Sequence, residues 1–263
     1  MPDEPVVLTQ DGSVATLLLN RPEKLNALDE NVTTGLVSAL SAVAREPSVR
    51  VVVITGGGRG FCAGGDIVKM AELKNSRRSE TFRNFLETGH DLIRQIRQLP
   101  KPVVASVNGP AAGGGMNLAL ACDLRIASDR ATFMQAFVRI GLHPDWGGTF
   151  FLPRLIGTGR AVEMFFLGEP LGAEEAHRMG LVNFLVPHDQ LAAETRKLAE
   201  RLAAAPPLPL GLVKQALYEH LETRLDLMMG YEVSAQMRCF ESEDFAEGLK
   251  AFLEKRKPTY KGA

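Results

Sequence analysis

Cysteine, tryptophan, tyrosine and unbalanced charge are what this 263-residue chain has least of. Its three cysteines, Cys62, Cys122 and Cys239, form no Cys-x-x-Cys pair and no Cys/His cluster. That excludes a disulfide framework and a structural zinc site, and it fits a reducing compartment. Lys plus Arg number 30 and Asp plus Glu number 31, a formal net charge of -1. Such a balance leaves no electrostatic footprint for nucleic acid or an anionic membrane. One Trp and three Tyr are too few for a platform that stacks bases. No apolar run approaches the roughly 18 residues of a transmembrane helix, and the opening MPDEPVVLTQDGSV lacks the apolar centre of a signal peptide. The expectation is a cytoplasmic protein with no nucleic-acid or membrane partner.

What is present is ordinary globular material, 45% hydrophobic and 23% charged, long enough to bury a substantial core. Two β-rich runs, 6–10 and 14–19, flank Asp11-Gly12, a hairpin signal. Asp29 can cap a helix to about Arg45, with Val32, Leu36, Leu40 and Val43 at helical spacing. The β-branched run 51–55 reads as a buried strand, as do 103–107 and 124–128. An amphipathic helix over 79–99 stops at Pro100 and Pro102, and a short one starts near Gly114 or Gly115. Strands alternating with helices predict an α/β core over residues 1–168. Residues 169–263 read as a helical region, with helices over 173–179, 191–204, 210–220, 223–241 and 244–255. Its Leu, Met and Phe content suits a subunit interface or an internal core. The polar stretch 74–80 reads as a surface loop.

Two glycine-rich turns carry the most information: GGGRGFCAGGDI at 56–67 and NGPAAGGGMNL at 108–118. Each follows a buried strand and leads towards a helix. Without Cβ atoms, backbone N–H groups can converge on one point, and a helix N-terminus adds positive potential there. The pair can form an anion or oxyanion site. Gly58-Arg-Gly60-Phe-Cys-Ala63 also fits a loose dinucleotide fingerprint, although a second glycine-rich turn has no place in that pattern.

The segments NRPEKLNAL at 20–28, GFCAGGDI at 60–67, KPVVASVNG at 101–109, Gly113-Gly-Gly115 and Gly147-Gly-Thr149 occur in an order that resembles the crotonase (enoyl-CoA hydratase/isomerase) superfamily over nearly the whole chain. The segment FVRIGLHPDWGGT, 137–149, is most similar to epoxyphenylacetyl-CoA isomerases. The resemblance implies a crotonase-like spiral of ββα units followed by helices, a homotrimer or hexamer, and an acyl-CoA thioester as substrate. It implies no separate cofactor and no metal, since CoA arrives with the substrate. It implies an oxyanion hole from the Gly65 and Gly114 amides, and CoA contacts at Lys24, Leu25, Ala63, Asp66, Ile67, Phe252 and Lys255.

The two glutamates of enoyl-CoA hydratases fall, by the same resemblance, on Asn117 and Phe137, neither of which trades protons near neutral pH. Asp145 stands where the phenylacetate-pathway isomerases are similar in carrying an aspartate. Phe137, Trp146 and Phe150 are candidate apolar neighbours that would raise its pKa, and capping of the following helix is the competing role for its carboxyl. Asn117, Phe137 and Trp146 are expected to line the substrate pocket. The expected function is acyl-CoA isomerisation, with Asp145 moving a proton between carbons. Hydratase, thioester hydrolase or dehalogenase chemistry through Asp145, with His90 or His143 nearby, is the alternative, and a non-catalytic acyl-CoA-binding subunit is the third.

Overall fold

The computed structural model describes residues 4–219, 234 and 236–262. Strands β1 (Val6–Asp11) and β2 (Val14–Leu19) form the hairpin, in register Asp11 with Val14. Gly12 takes φ +57 in the two-residue loop, a conformation that suits glycine. From β2 the sheet continues in parallel through β3 (Val51–Gly56), β4 (Val103–Val107), β6 (Leu124–Ser128) and β9 (Phe184–Val186).

The sheet is covered on both faces, which is why β3 and β4 are apolar on both faces apart from Thr55 and Ser106. Val52 and Ile54 point into a large core shared with α1 (Glu30–Arg45) and α3 (Ser79–Gln98). Val51 and Val53 point the other way, onto α8 (Leu191–Ala203) through Leu191 and Ala199. Asp29 caps α1 by accepting from the Val32 N–H, as its place in the sequence predicts. A smaller sheet of β5 (Ala111–Ala112), β7 (Thr132–Met134) and β8 (Leu171–Gly172) sits beside the glycine-rich turns.

Between the two sheets lies α4 (Gly114–Ala121), every residue of which is buried. Then come α5 (Gly148–Ile156), α6 (Thr158–Leu167), α7 (Ala173–Arg178), α9 (Pro207–Glu219) and α10 (Glu243–Glu254). The region after 168 is therefore not purely helical, because it supplies β8 and β9 to the two sheets. The stretch 74–80 is less of a loop than its composition suggests: α2 (Ile67–Asn75) runs to within three residues of α3. The expected helix over 223–241 falls mostly outside the described residues, of which 236–240 are helical.

Candidate active site

The two glycine-rich turns interlock. The Phe61 and Cys62 N–H groups both donate to Pro110 O, and Ala112 N–H donates back to Cys62 O at 2.9 Å. Close approach depends on absent side chains: a Cβ on Gly115 would lie 2.3 Å from Cys62 O, and one on Gly109 2.1 Å from Arg59 O. A Cβ on Gly64, itself at φ +87, would lie 2.7 Å from Ala112 O and 3.5 Å from Gly114 N. The Gly64–Gly65 peptide and the Gly114 amide are thus neighbours. Leu28 locks the first turn, donating to Gly64 O and accepting from Asp66 N–H. Neither the Gly65 nor the Gly114 N–H donates a hydrogen bond within the described residues. Two adjacent amides without acceptors, one at a helix N-terminus, can hold a developing oxyanion.

The Gly58-x-Gly60-x-x-Ala63 stretch does not act as a dinucleotide turn, because it opens no helix; α2 begins only at Ile67. Asp66 caps α2, accepting from Lys69 N–H at 3.3 Å, and pairs with Arg21 and Lys24, each at 3.1 Å. Burial opposes ionisation of Asp66, but the Lys24, Lys69 and Arg21 hydrogen bonds outweigh it and hold its carboxyl below the usual range. Arg21, Lys24, Asp66, Val68 and Lys69 line a cleft of about 290 Å³. Ala63 and Ile67 are exposed beside it, and Leu25 is half-buried at φ 50. Lys255 is exposed at the end of α10, and the side chain of Phe252 lies outside the described residues.

Asp145 comes to the second turn from the far side. A Cβ on Gly114 would lie 3.8 Å from Asp145 Oδ1, 3.9 Å from the Trp146 ring and 3.2 Å from Leu28. The Phe137 ring stands over Gly113, 3.6 Å from where a Cβ would be. Asp145 Oδ1 is buried and has no hydrogen-bond partner. Desolvation pushes the carboxyl up to about 6, against smaller lowering effects from its own backbone and from His143. The capping role fails, since Gly147 is the N-cap of α5 and no side chain bonds the helix end. Phe150 does not shield the carboxyl as expected; it is 45% exposed and lies under the Arg154 guanidinium. The Trp146 indole fills the space left by Gly89 on α3, where a Cβ would lie 2.1 Å from Nε1.

His90 is exposed, while its neighbour Gly89 is the residue that faces Trp146. His143 is exposed too, with Nδ1 2.6 Å from Pro144 O. Asn117 is fully buried behind Asp145, donating from Nδ2 to the Asp145 main-chain O at 2.8 Å and accepting from Gln135 Nε2 at 2.8 Å. Sequence reasoning missed Gln135; only its polarity in the otherwise apolar run 133–137 marks it. Among the described residues no group of three His, Cys, Asp or Glu side chains could hold a metal ion, and no helix is long and apolar enough to cross a membrane.

A family model for enoyl-CoA hydratase/isomerase matches residues 9–263. The chain belongs to the enoyl-CoA hydratase/isomerase family. It is 39% identical to a crotonyl-CoA hydratase of Syntrophomonas wolfei, covering 98% of each chain. It is 40% identical to the 1,2-epoxyphenylacetyl-CoA isomerase of Escherichia coli, covering 96% of each. The crystal structure of an enoyl-CoA hydratase from Bacillus anthracis superposes with a TM-score of 0.94 at 35% identity, covering 98% of this chain and 100% of that one. The fold is therefore the crotonase-like α/β fold, and an acyl-CoA thioester suits a member of this family.

Proposed function

We propose that this protein is an acyl-CoA isomerase in which the Gly65 and Gly114 amides hold the thioester oxygen and Asp145 carries the proton. One observation supports this reading above the others: a buried, unpaired carboxyl oxygen stands 3.8 Å from the Cβ position of Gly114, whose N–H donates no hydrogen bond among the described residues. A thioester α-proton becomes removable when negative charge on the oxygen is stabilised, and each preorganised donor contributes about 3 kcal/mol. A carboxyl raised to about 6 is ionised enough near neutrality to take that proton and basic enough to return it to another carbon. With Asn117 and Phe137 at the hydratase glutamate positions of the family, no second carboxyl is available there to position and split water.

The substrate is an enoyl-CoA whose double bond moves from the β,γ to the α,β position, or an aromatic epoxide-CoA, the substrate named for the Escherichia coli relative, that expands to an oxepin. CoA enters as part of the substrate, along the cleft at Lys24 and Asp66 with Leu25, Ala63 and Ile67 beside it, and Phe252 and Lys255 contribute from the C-terminal helix. The protein assembles as a homotrimer or hexamer in the cytoplasm.

The test is a screen of β,γ-enoyl-CoA, crotonyl-CoA and epoxyphenylacetyl-CoA with parent and Asp145→Ala enzyme in heavy-oxygen water. Isomerisation without oxygen incorporation, lost in Asp145→Ala while CoA binding survives, is the expected result. Hydration is the competing reading that the Syntrophomonas relative favours. Oxygen incorporation, or a fully active Asp145→Ala enzyme, would overturn the isomerase reading.

A further inference from the structure

Among the described residues no other side chain holds the Asp145 carboxyl in place; its hydrogen bond is to its own backbone. Oδ1 has no partner, and the neighbouring His143 is exposed, with its ring against Pro144 O. Its position must be set through the backbone. That backbone is itself bent, since Trp146 sits at φ 46 and Gly147 at φ 77. A non-glycine residue in the left-handed region persists only where its surroundings enforce it.

Three contacts enforce this turn. The Trp146 ring is locked into the gap at Gly89 and against Phe85, with ring centroids 6.0 Å apart. The Asp145 main-chain O accepts from Gly148 N–H at 2.9 Å, which closes the turn. The same oxygen accepts from Asn117 Nδ2 at 2.8 Å, and Asn117 Oδ1 accepts from Gln135 Nε2 at 2.8 Å. Asn117 and Gln135 are both fully buried.

The direction of these bonds is forced. A main-chain carbonyl can only accept, so Asn117 must turn its NH₂ towards Asp145 and its oxygen towards Gln135. Gln135 must then present its own NH₂, which leaves its Oε1 buried without a donor. A buried acceptor without a partner is a net cost to the fold, and an apolar side chain of similar size would avoid it. The polar group at 135 is thus tolerated in the core for what its NH₂ does at Asn117.

We propose that Gln135 and Asn117 form a buried positioning relay that aims the Asp145 carboxyl at the Gly65–Gly114 amides by clamping its main-chain carbonyl. They are positioning residues that act through the Asp145 main chain; Asn117, expected to line the substrate pocket, is fully buried behind Asp145. The arrangement leaves Oδ1 of the carboxyl without a partner, open to give and take a proton. The relay's catalytic consequence rests on the isomerase reading above; its effect on the carboxyl does not.

The test uses the full chain with ¹³C-labelled aspartate, the Asp145 signal being assigned by its loss in Asp145→Asn. Asn117→Leu removes the clamp. Gln135→Met keeps the length of the side chain and removes the donor; it trades one buried orphaned acceptor, Gln135 Oε1, for another, Asn117 Oδ1, and its fold is checked by its thermal midpoint before titration. In both variants the Asp145 titration midpoint should fall by a unit or more, towards the ordinary aspartate value of about 4, as the carboxyl swings to solvent. In β,γ-enoyl-CoA isomerisation kcat should fall by about tenfold to a hundredfold with KM little changed, as expected for a misplaced proton carrier. The double variant should lose no more than Asn117→Leu alone. A midpoint that stays near 6 in folded Gln135→Met, or losses that add in the double variant, would overturn the relay. If Asp145→Ala proves fully active, the isomerase reading fails, and the titration still decides whether the relay holds the carboxyl.

Discussion

At the scale of single residues, Asp145 shows what a reactive group costs its host. Its folded pKa of about 6 lies above the unfolded value, so burial favours the neutral form. Below about pH 4 the group is neutral in both states and costs nothing. As pH rises the unfolded chain ionises first, so stability falls between about pH 4 and pH 6 and stays lower above that; two pKa units amount to about 2–3 kcal/mol. Asp145→Asn should therefore raise the thermal midpoint at pH 8, leave it nearly unchanged at pH 3.5, and abolish isomerisation. Calorimetry at the two pH values checks this; a variant equally stabilised at both would contradict it. The parent enzyme's kcat/KM should fall on the acid side with a midpoint near 6, as the base of the free enzyme becomes protonated. Gly89 is the complementary case, a residue defined by the atom it lacks. Gly89→Ala would place a methyl 2.1 Å from the Trp146 Nε1, and the fully buried ring can move only by disturbing the Asp145 turn. Overpacking of this kind costs about 1–3 kcal/mol. Denaturation and turnover should both suffer, turnover more.

Elements whose making depends on local chemistry were legible in the sequence, and those made by tertiary context were not. The Asp29 cap and the apolar spacing of α1 specify its two ends, and the valine runs of β3 and β4 specify strands buried on both faces. By contrast β5 and β8 are two residues each, too short to show a period, and exist because neighbouring chain supplies their partners. The helix expected over 210–220 starts earlier, because Pro207 and Pro209 sit in the first turn of α9, where a proline costs no hydrogen bond. The site divides in the same way. Its glycine turns could be picked out by type and spacing and Asp145 by the family resemblance of its segment, whereas Gln135 acts through a contact across 18 positions to Asn117 and another 28 to Asp145 that no local pattern announces. Helix α2 shows an element held by one charged residue at its start. Asp66→Ala removes the cap and both cationic pairings, and should destabilise by about 1–2 kcal/mol at pH 7. Because the folded pKa of Asp66 is depressed, this contribution is whole above about pH 4 and drains away as pH falls further. Urea titrations of parent and variant should converge in acid; a constant gap would argue that the loss is one of packing.

At the scale of the whole molecule, one part of the apolar surface left uncovered bears on the site. Phe166 and Leu167, at the end of α6, are 73% and 55% exposed. Val138, Ile140 and Leu142 are exposed in the segment that runs into Asp145, and the two groups adjoin, since a Cβ on Gly168 would lie 2.9 Å from Val138. Burying side chains of this size yields about 1.5–3 kcal/mol each, enough for a few of them to drive self-association. A second copy seated here would cover the outer face of the Asp145 segment and stiffen it. Association and turnover should then be linked. Phe166→Glu, distant in sequence from the catalytic turn, should lower the mass measured by light scattering towards that of a single 28.6 kDa chain and lower kcat with it. The parent enzyme should lose specific activity on dilution over the same concentration range in which its mass falls. A Phe166→Glu protein that stays assembled, or one that dissociates with full activity, would place the interface elsewhere or show that each chain completes its own site.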